Sequence, residues 1–366
     1  MIAQSKGKRA IGAGVAAVLA LLAFAGPVQA ADPVHITYGY HPYWTGGWNG
    51  VIIKAKDLWK KYLPAGSTVR FEPHLTGPPM INAMLADKMQ IGTMGDMPSL
   101  VATTKKDIAD IRLVSVPMFS NGQNCNKVVV RKDAPDFANV DEAMKWLNGK
   151  PFAFHRGTCT NRFIESLVEK GVFKPARTLS MSIEVIASNF EAGKLDAAAM
   201  WEPHARRVVE RGFAKYAATG AVWNETDADF TLMRQDFIEK NPEAAVGWLK
   251  AEIEAIRFMV DNPRETAAII AKEVVGYTPE MVWAALYERN PPSIGGDPVN
   301  YVGKVVFDKD VRDLMTAGYA FLNRAKVIPS PDAPATAIND GPVQQALKEL
   351  GLNAPVGEIR GTDRPK

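Results

Sequence analysis

The chain has 366 residues, which is longer than one hydrophobic core commonly serves, so its length predicts two lobes or domains. Its 43 lysines and arginines exceed its 40 aspartates and glutamates by three, and Lys6, Lys8 and Arg9 account for this excess. The remainder is formally neutral, which excludes an electrostatic basis for binding nucleic acid or an anionic membrane surface.

The first 30 residues have the pattern of a secretory signal. Three basic residues precede an uncharged apolar run over 10–24, and a small-x-small site ending at Ala30 follows it. We therefore expect cleavage after Ala30 and export of the chain that begins at Ala31. The alternative is an uncleaved membrane anchor, but the run is shorter than the ~20 apolar residues that a span requires.

From residue 34 the apolar pattern alternates between strand and helix periods. Strands are predicted at 34–40, 69–75, 89–94 and 111–116, and helices at 51–62 and 78–87. A second unit of the same kind follows, with strands at 128–131, 152–155, 182–186 and 197–200 and helices at 140–147, 160–170, 186–192 and 203–211. Strands that alternate with helices indicate an α/β fold with mostly parallel sheets.

The pattern changes after residue 223. Amphipathic helices are predicted at 236–260, 263–274, 279–290 and 308–325, with few strands between them. From residue 328 the chain is rich in proline and aspartate, which predicts an irregular tail. Two α/β units followed by returning helices predict two lobes with a ligand cleft between them, outside the carboxyl ends of the strands.

The two cysteines, Cys125 and Cys159, are 34 residues apart and flank predicted strands. In an oxidising compartment they form either one disulfide, which we expect if the two strands are neighbours, or two buried thiols. With His155 they match no zinc-ligand spacing, so no metal is expected. A Cys–His nucleophile would require a spatial arrangement that sequence proximity does not supply.

Two predicted strand-to-helix turns carry groups suited to binding a polar ligand. At the first turn a glycine and a capping aspartate precede a proline-started helix, which leaves backbone N–H groups free. The second turn combines glycine with two hydroxyl residues, as an oxyanion clamp would require. An ordinary βα turn is the alternative for the first. The residues concerned are Gly95, Asp96 and Met97 at the first turn, and Arg156, Gly157, Thr158, Cys159 and Thr160 at the second.

Aromatic side chains are concentrated after the first predicted strand and after the strand at 197–200. Tyr40, His41, Trp44 and Trp48 lie in one connection, where exposed rings would mark a recognition site or pack on the C-terminal helices. Such rings could hold an amine or stack on a planar organic acid. Trp201 offers an apolar wall with one donor; the alternative is a core residue.

These motifs, in this order behind an export signal, resemble those of the periplasmic solute-binding proteins of nitrate, sulfonate and taurine type ABC importers. The resemblance covers nearly all of the exported chain and is carried by 90–100, 154–160, 199–204 and 236–243. It implies that Trp201 and Glu202 line the ligand cleft, although Glu202 also suits the first turn of a helix. In the family a Gly-Ser or Gly-Thr pair is often followed by small residues and a histidine; Cys159 and Thr160 stand here instead.

The resemblance implies a type II periplasmic binding protein fold, with a mixed, mostly parallel sheet flanked by helices in each lobe. The expected division is a signal peptide at 1–30, one lobe from 31–120 plus 225–366, and a second lobe from 121–224. The implied function is capture of a small organic anion or zwitterion, taurine-like or sulfonate-like, in the periplasm. The implied partners are the permease subunits and the cytoplasmic ATPase of an ABC importer, with a monomeric receptor and no cofactor.

Two other functions fit the same fold. One is an enzyme related to the thiamin-pyrimidine synthases, although the chain lacks a cysteine-rich cluster of their kind and the motifs Gly-x-Ser-x-Gly and His-Glu-x-x-His. The other is a sensor that presents its ligand to a membrane kinase. We favour the non-catalytic importer component.

Overall fold

The computed structural model describes residues 1–4 and 32–365, so the predicted signal and its cleavage site lie outside the described residues. All the elements below belong to one compact unit that begins at Pro33. None of the helices described combines the length and apolar character needed to cross a membrane.

The described residues contain twelve strands and thirteen α-helices. The strands are β1 (His35–Tyr40), β2 (Thr68–Pro73), β3 (Ile91–Gly95), β4 (Ile111–Ser120), β5 (Lys127–Arg131), β6 (Pro151–Phe154), β7 (Arg177–Ser180), β8 (Ala197–Met200), β9 (Ala214–Thr219), β10 (Asp227–Arg234), β11 (Val299–Val302) and β12 (Glu358–Arg360). The helices are α1 (Trp48–Ala55), α2 (Gly77–Leu85), α3 (Asp96–Thr103), α4 (Val140–Leu147), α5 (Cys159–Glu169), α6 (Ile183–Glu191), α7 (His204–Glu210), α8 (Gln235–Lys240), α9 (Pro242–Asp261), α10 (Pro263–Glu273), α11 (Pro279–Tyr287), α12 (Lys309–Arg324) and α13 (Gly341–Leu350).

The strands form two mixed sheets. The first has the order β12-β11-β4-β10-β3-β1-β2, in which β1 is parallel to β2 and β3 while β10 and β11 run against their neighbours. The second has the order β7-β6-β8-β5-β9, in which only β5 opposes the other four. Most strands of each sheet therefore run one way, and the predicted α/β fold class is confirmed.

The C-terminal helices pack on the first sheet. Trp248 of α9 is fully buried, and its ring centroid lies 4.4 Å from that of Tyr38 on β1. The second sheet is centred on β8, whose sequence Ala-Ala-Ala-Met is buried at every position. Small side chains on both faces of β8 suit a central strand that is covered by helices on each side.

Two short segments, 121–126 and 220–226, connect the sheets and are joined to each other. The Gly220 N–H donates to the carbonyls of Gly122 and Asn126, and the Asn126 side chain donates to the Glu225 carbonyl at 2.7 Å. Gly122 has a φ of +71°, and a Cβ there would lie 2.5 Å from the Glu225 carbonyl oxygen. This close approach requires glycine.

Several predicted elements are wrong. The strand predicted at 182–186 is the start of α6, where Ser182 accepts a hydrogen bond from the Val185 N–H as the N-cap; the strand itself is β7. The helix predicted at 236–260 is divided into α8 and α9 because Pro242 begins a new helix. The predicted irregular tail contains α13 and β12.

Candidate functional site

A cavity of about 350 Å³ lies between the two sheets and takes its walls from both. Six of its residues, 155–159 and Trp201, follow β6 and β8 of the second sheet, and the others belong to the first sheet's side of the molecule. Nine predicted site residues line it: His41, Trp44, Gly95, Asp96, Arg156, Gly157, Thr158, Cys159 and Trp201. The cavity therefore lies at the position that the sequence predicts for the cleft, between the two sheets.

The second sheet contributes the start of α5. The Thr158 hydroxyl donates to the His155 carbonyl at 2.7 Å and lies 2.8 Å from the Thr160 hydroxyl, which fixes the turn. The first N–H groups of a helix have no partner within it, so this turn presents donors and a positive helix end. The Arg156 side chain is exposed and has no hydrogen-bond or ion-pair partner among the described residues. The helix start and Arg156 therefore place positive charge at this part of the cavity wall.

The first sheet contributes the start of α3, and this helix end already carries a negative group. Asp96 is the first residue of α3, and its Oδ1 accepts a hydrogen bond from the Met97 N–H at 2.7 Å. Pro98 follows and has no N–H to offer. The Asp96 side chain is only 1% exposed, and burial raises its pKa to about 6, although the charge of Arg162 acts in the opposite direction. The two helix ends that line the cavity are thus chemically different.

Further buried acids lie behind Asp96. Burial raises the pKa of Asp227 to about 7 and that of Asp229 well above its ordinary value, and the negative charge of Asp96 raises both. The indole N–H of Trp44 donates to Asp229 at 2.8 Å. Burial likewise raises the pKa of Glu252 to about 7. Because their pKa values are raised, these carboxyls hold their protons at neutral pH more than ordinary acids do, and Asp96 is the acid that faces the cavity on the α3 side.

The aromatic loop, residues 40–48, is only partly in the cavity wall. His41 and Trp44 line it, and burial lowers the pKa of His41 to about 4, so its ring is neutral at pH 7. Tyr40 belongs to β1 and its hydroxyl donates to Glu273, while the fully buried indole of Trp48 donates to the Pro42 carbonyl at 2.8 Å. Tyr40 and Trp48 therefore serve packing and do not line the cavity.

Trp201 and Glu202 follow β8, and their side chains face different parts of the molecule. Trp201 lines the cavity, and its indole N–H donates to the Tyr43 carbonyl at 3.2 Å. Glu202 points away from the cavity: its carboxylate accepts from the Tyr216 hydroxyl at 2.6 Å and lies 3.3 Å from the Lys127 ammonium. The Lys127 cation and the Tyr216 hydroxyl offset the free-energy cost of burying this carboxylate.

Two other predicted residues are also outside the wall. Met97 is fully buried in the apolar core beneath α3, because it follows Asp96 on the inner face of the helix. Thr160 is fully buried, and its hydroxyl is within hydrogen-bond distance of Thr158. Both predicted turns line the cavity, but which residues of a turn face it depends on the packing of the helix that follows.

Cys125 and Cys159 form a disulfide, with their Cα atoms 6.2 Å apart. The flanking strands β5 and β6 are not neighbours, contrary to expectation, because β8 lies between them. Since β6 is parallel and β5 antiparallel to β8, the end of β6 and the start of β5 meet at the carboxyl end of β8. No free thiol exists in the described chain, so neither cysteine is available as a nucleophile there.

Much of the cavity wall is apolar and was not predicted. These residues come from α2 and the segment before it, from α3, and from the last turn of α12 and the segment after it: Leu75, Pro78, Ile81, Leu85, Pro98, Val101, Leu322 and Val327. The i, i+3, i+7 spacing of Pro78, Ile81 and Leu85 was visible in the sequence but is typical of any helix that packs on a core. Within the residues described, no cluster of side chains is suited to holding a metal ion.

The chain is similar to several known proteins. It is 24% identical over 288 residues to a putative aliphatic sulfonates-binding protein of Escherichia coli K12, which covers 78% of this chain and 85% of that one. It is 23% identical over 250 residues to the taurine-binding periplasmic protein of the same strain, which covers 68% and 72%. The crystal structure of the periplasmic aliphatic sulphonate binding protein SsuA from Escherichia coli has the same fold, with a TM-score of 0.67, 20% identity, and coverage of 84% of this chain and 92% of that one.

These similarities confirm the resemblance that the sequence motifs predicted. A family model gives the most direct assignment, because it matches residues 29–275, which include the whole second sheet and both turns of the cavity. The chain belongs to the NMT1-like family.

Proposed function

We propose that this protein is the non-catalytic, solute-binding component of an ABC importer and that it captures a small organic acid. The observation that carries the proposal is one cavity with walls from both sheets, at one end of which a helix start converges with the guanidinium of Arg156, which has no ion-pair partner among the described residues. The sulfonate- and taurine-binding relatives support the same class of solute.

The two lobes of the proposal are 31–120 with 225–366, and 121–224. Every strand of the first sheet falls in the first set and every strand of the second sheet in the second. The paired segments 121–126 and 220–226 would serve as the hinge. Closure of the lobes around a solute converts its affinity for the closed form into a shape that a permease can recognise.

The proposed orientation places the acid group of the solute at the start of α5. Helix N-termini bind anions, and Arg156 supplies a charge that no carboxylate in the described part of the chain neutralises. The start of α3 is unsuitable because Asp96 occupies it. Trp44 and Trp201 give the neighbouring wall an aromatic surface, which favours a solute with an organic body over a bare inorganic anion.

The proposed compartment is the periplasm, reached through cleavage after Ala30, and the proposed partners are permease subunits with a cytoplasmic ATPase. The periplasmic relatives support this compartment. The receptor is proposed to act as a monomer without a cofactor.

The test is isothermal calorimetry of the purified protein with hexanesulfonate, hexanoate and hexylamine. We expect both acids to bind and the amine to give no heat of binding. Arg156→Gln should lower the affinity for both acids by about 10- to 100-fold, which is the contribution expected of a hydrogen bond to a charged group. Arg177→Gln, an exposed arginine outside the cavity, is the matched control and should leave the affinity unchanged. Preference for the amine, or no response to either acid, would contradict the proposal.

A further inference from the structure

One wall of the cavity is formed by α2 and α3. Pro78, Ile81 and Leu85 line it from α2, while Pro98 and Val101 line it from α3. On each helix these positions recur every three or four residues and so follow one face. We call these five residues, together with Leu75 before α2, Leu322 in the last turn of α12 and Val327 after it, the apolar arm.

The length of the apolar arm follows from the helices that form it. Leu85 lies seven positions after Pro78, which corresponds to about 10 Å at 1.5 Å per residue. An extended chain advances roughly 1.2 Å per backbone atom, since a three-atom residue spans up to about 3.6 Å. The apolar arm therefore matches an extended chain of about eight atoms.

Two members of the apolar arm are exposed to an unusual degree for apolar residues in a concave site. Leu75 is 57% exposed and Val327 is 43% exposed, and both line the cavity. Among the described residues, Asp96 is the only carboxylate in the cavity wall; it begins α3, while Lys105 lies two residues beyond the end of this helix. Lys105 has no ion-pair partner among the described residues, and its alkyl stem extends the apolar surface.

We propose that the apolar arm binds the hydrocarbon tail of the solute, so that the natural ligand is an amphiphilic organic acid with a straight tail of about eight atoms. This inference rests on the proposed function, because the acid group is held at α5 and Arg156. It extends that function by assigning Ile81, Leu85 and Val101 as residues that select for tail length. A taurine-sized solute would leave the apolar arm empty.

The experiment is a calorimetric series of n-alkanesulfonates and n-alkyl carboxylates from two to ten carbons, each below its critical micelle concentration. Burial of each methylene group should strengthen binding by about fourfold until the tail reaches the end of the apolar arm. Val101→Gln places a polar group on a half-buried wall position and should weaken the octyl acids by about tenfold or more, with ethanesulfonate unchanged. Val185→Gln is the matched control, since Val185 is 47% exposed on α6 and outside the cavity.

Each outcome separates this inference from the function on which it rests. If short and long acids bind equally, or if Val101→Gln weakens all lengths alike, the apolar arm does not hold the tail and only the tail assignment fails. If acids of no length bind, the proposed function fails and the tail assignment fails with it. If the sulfonates show the length dependence and the carboxylates do not, the headgroup is a sulfonate.

Discussion

Replacement of Asp96 by asparagine should stabilise the protein at alkaline pH. Asparagine keeps the oxygen that accepts from the Met97 N–H but removes a charge that burial disfavours. The pKa of Asp96 is about 6 in the fold, against an ordinary value of 3.8. Two pKa units correspond to about 3 kcal/mol of unfolding free energy.

The pH dependence of this effect has a defined sign. Because burial raises the pKa of Asp96, the folded state holds more protons than the unfolded state between pH 3.8 and about 6. The free energy of unfolding therefore falls as pH rises through this window, and the cost of the charge is complete above it. Asp96→Asn should gain about 3 kcal/mol at pH 8 and nothing below pH 3.8.

Urea unfolding of both proteins at pH 8 and at pH 3.5 measures the difference directly, with equal m-values as the check that only stability changed. Asp107→Asn, an exposed aspartate, is the control and should stay within about 0.5 kcal/mol of the parent at both pH values. A variant that is less stable than the parent at pH 8 would refute the reasoning. So would a gain that is the same at both pH values.

Two further predictions concern the region between the sheets. Joint replacement of Cys125 and Cys159 by serine opens a loop of 34 residues and should cost about 4 kcal/mol of unfolding free energy through chain entropy, as measured by urea unfolding. A reductant should lower the stability of the parent and leave that of the variant unchanged. An equal effect of the reductant on both proteins would contradict this prediction. Gly122→Ala should lower the unfolding free energy by about 1–3 kcal/mol more than Gly149→Ala. Both glycines have positive φ, but of the two only a Cβ at 122 would meet the Glu225 carbonyl. Equal losses of stability in the two variants would rule out the steric cause.

Local signals explain which elements the sequence predicted well. The helix predicted at 140–147 coincides with α4, because its Asn139 cap, its acidic first turn and its apolar stripe are all within a few residues of each other. The strand β10 was missed, although polar and apolar residues alternate in it, because its polar positions include Asp227 and Asp229, and aspartate is depleted in strands. These two side chains and that of Thr231 are buried. Their partners, including Trp44 and the Cys125 N–H, are far away in the chain.

In the cavity, too, the features that depend on local sequence signals could be predicted, and those that depend on distant partners could not. The two turns were identifiable because glycine, proline and hydroxyl residues mark strand-to-helix junctions locally. The orientation of Glu202 was not identifiable, because it depends on Lys127 and Tyr216 from two other strands. The apolar arm was missed for a related reason, since an apolar face on α2 has the same pattern whether it covers a core or lines a groove.

The difference between the starts of α3 and α5 gives the proposed site a direction. At α3 an anionic group would meet Asp96, whereas at α5 it would meet the first N–H groups of the helix and Arg156. In the proposed orientation, one proposed lobe therefore holds the acid group of the solute and the other holds its tail. A solute long enough to reach the apolar arm links both lobes, while a short acid contacts mainly α5. Because only contacts that are gained on closure shift the open–closed equilibrium, tail length should control closure as well as affinity.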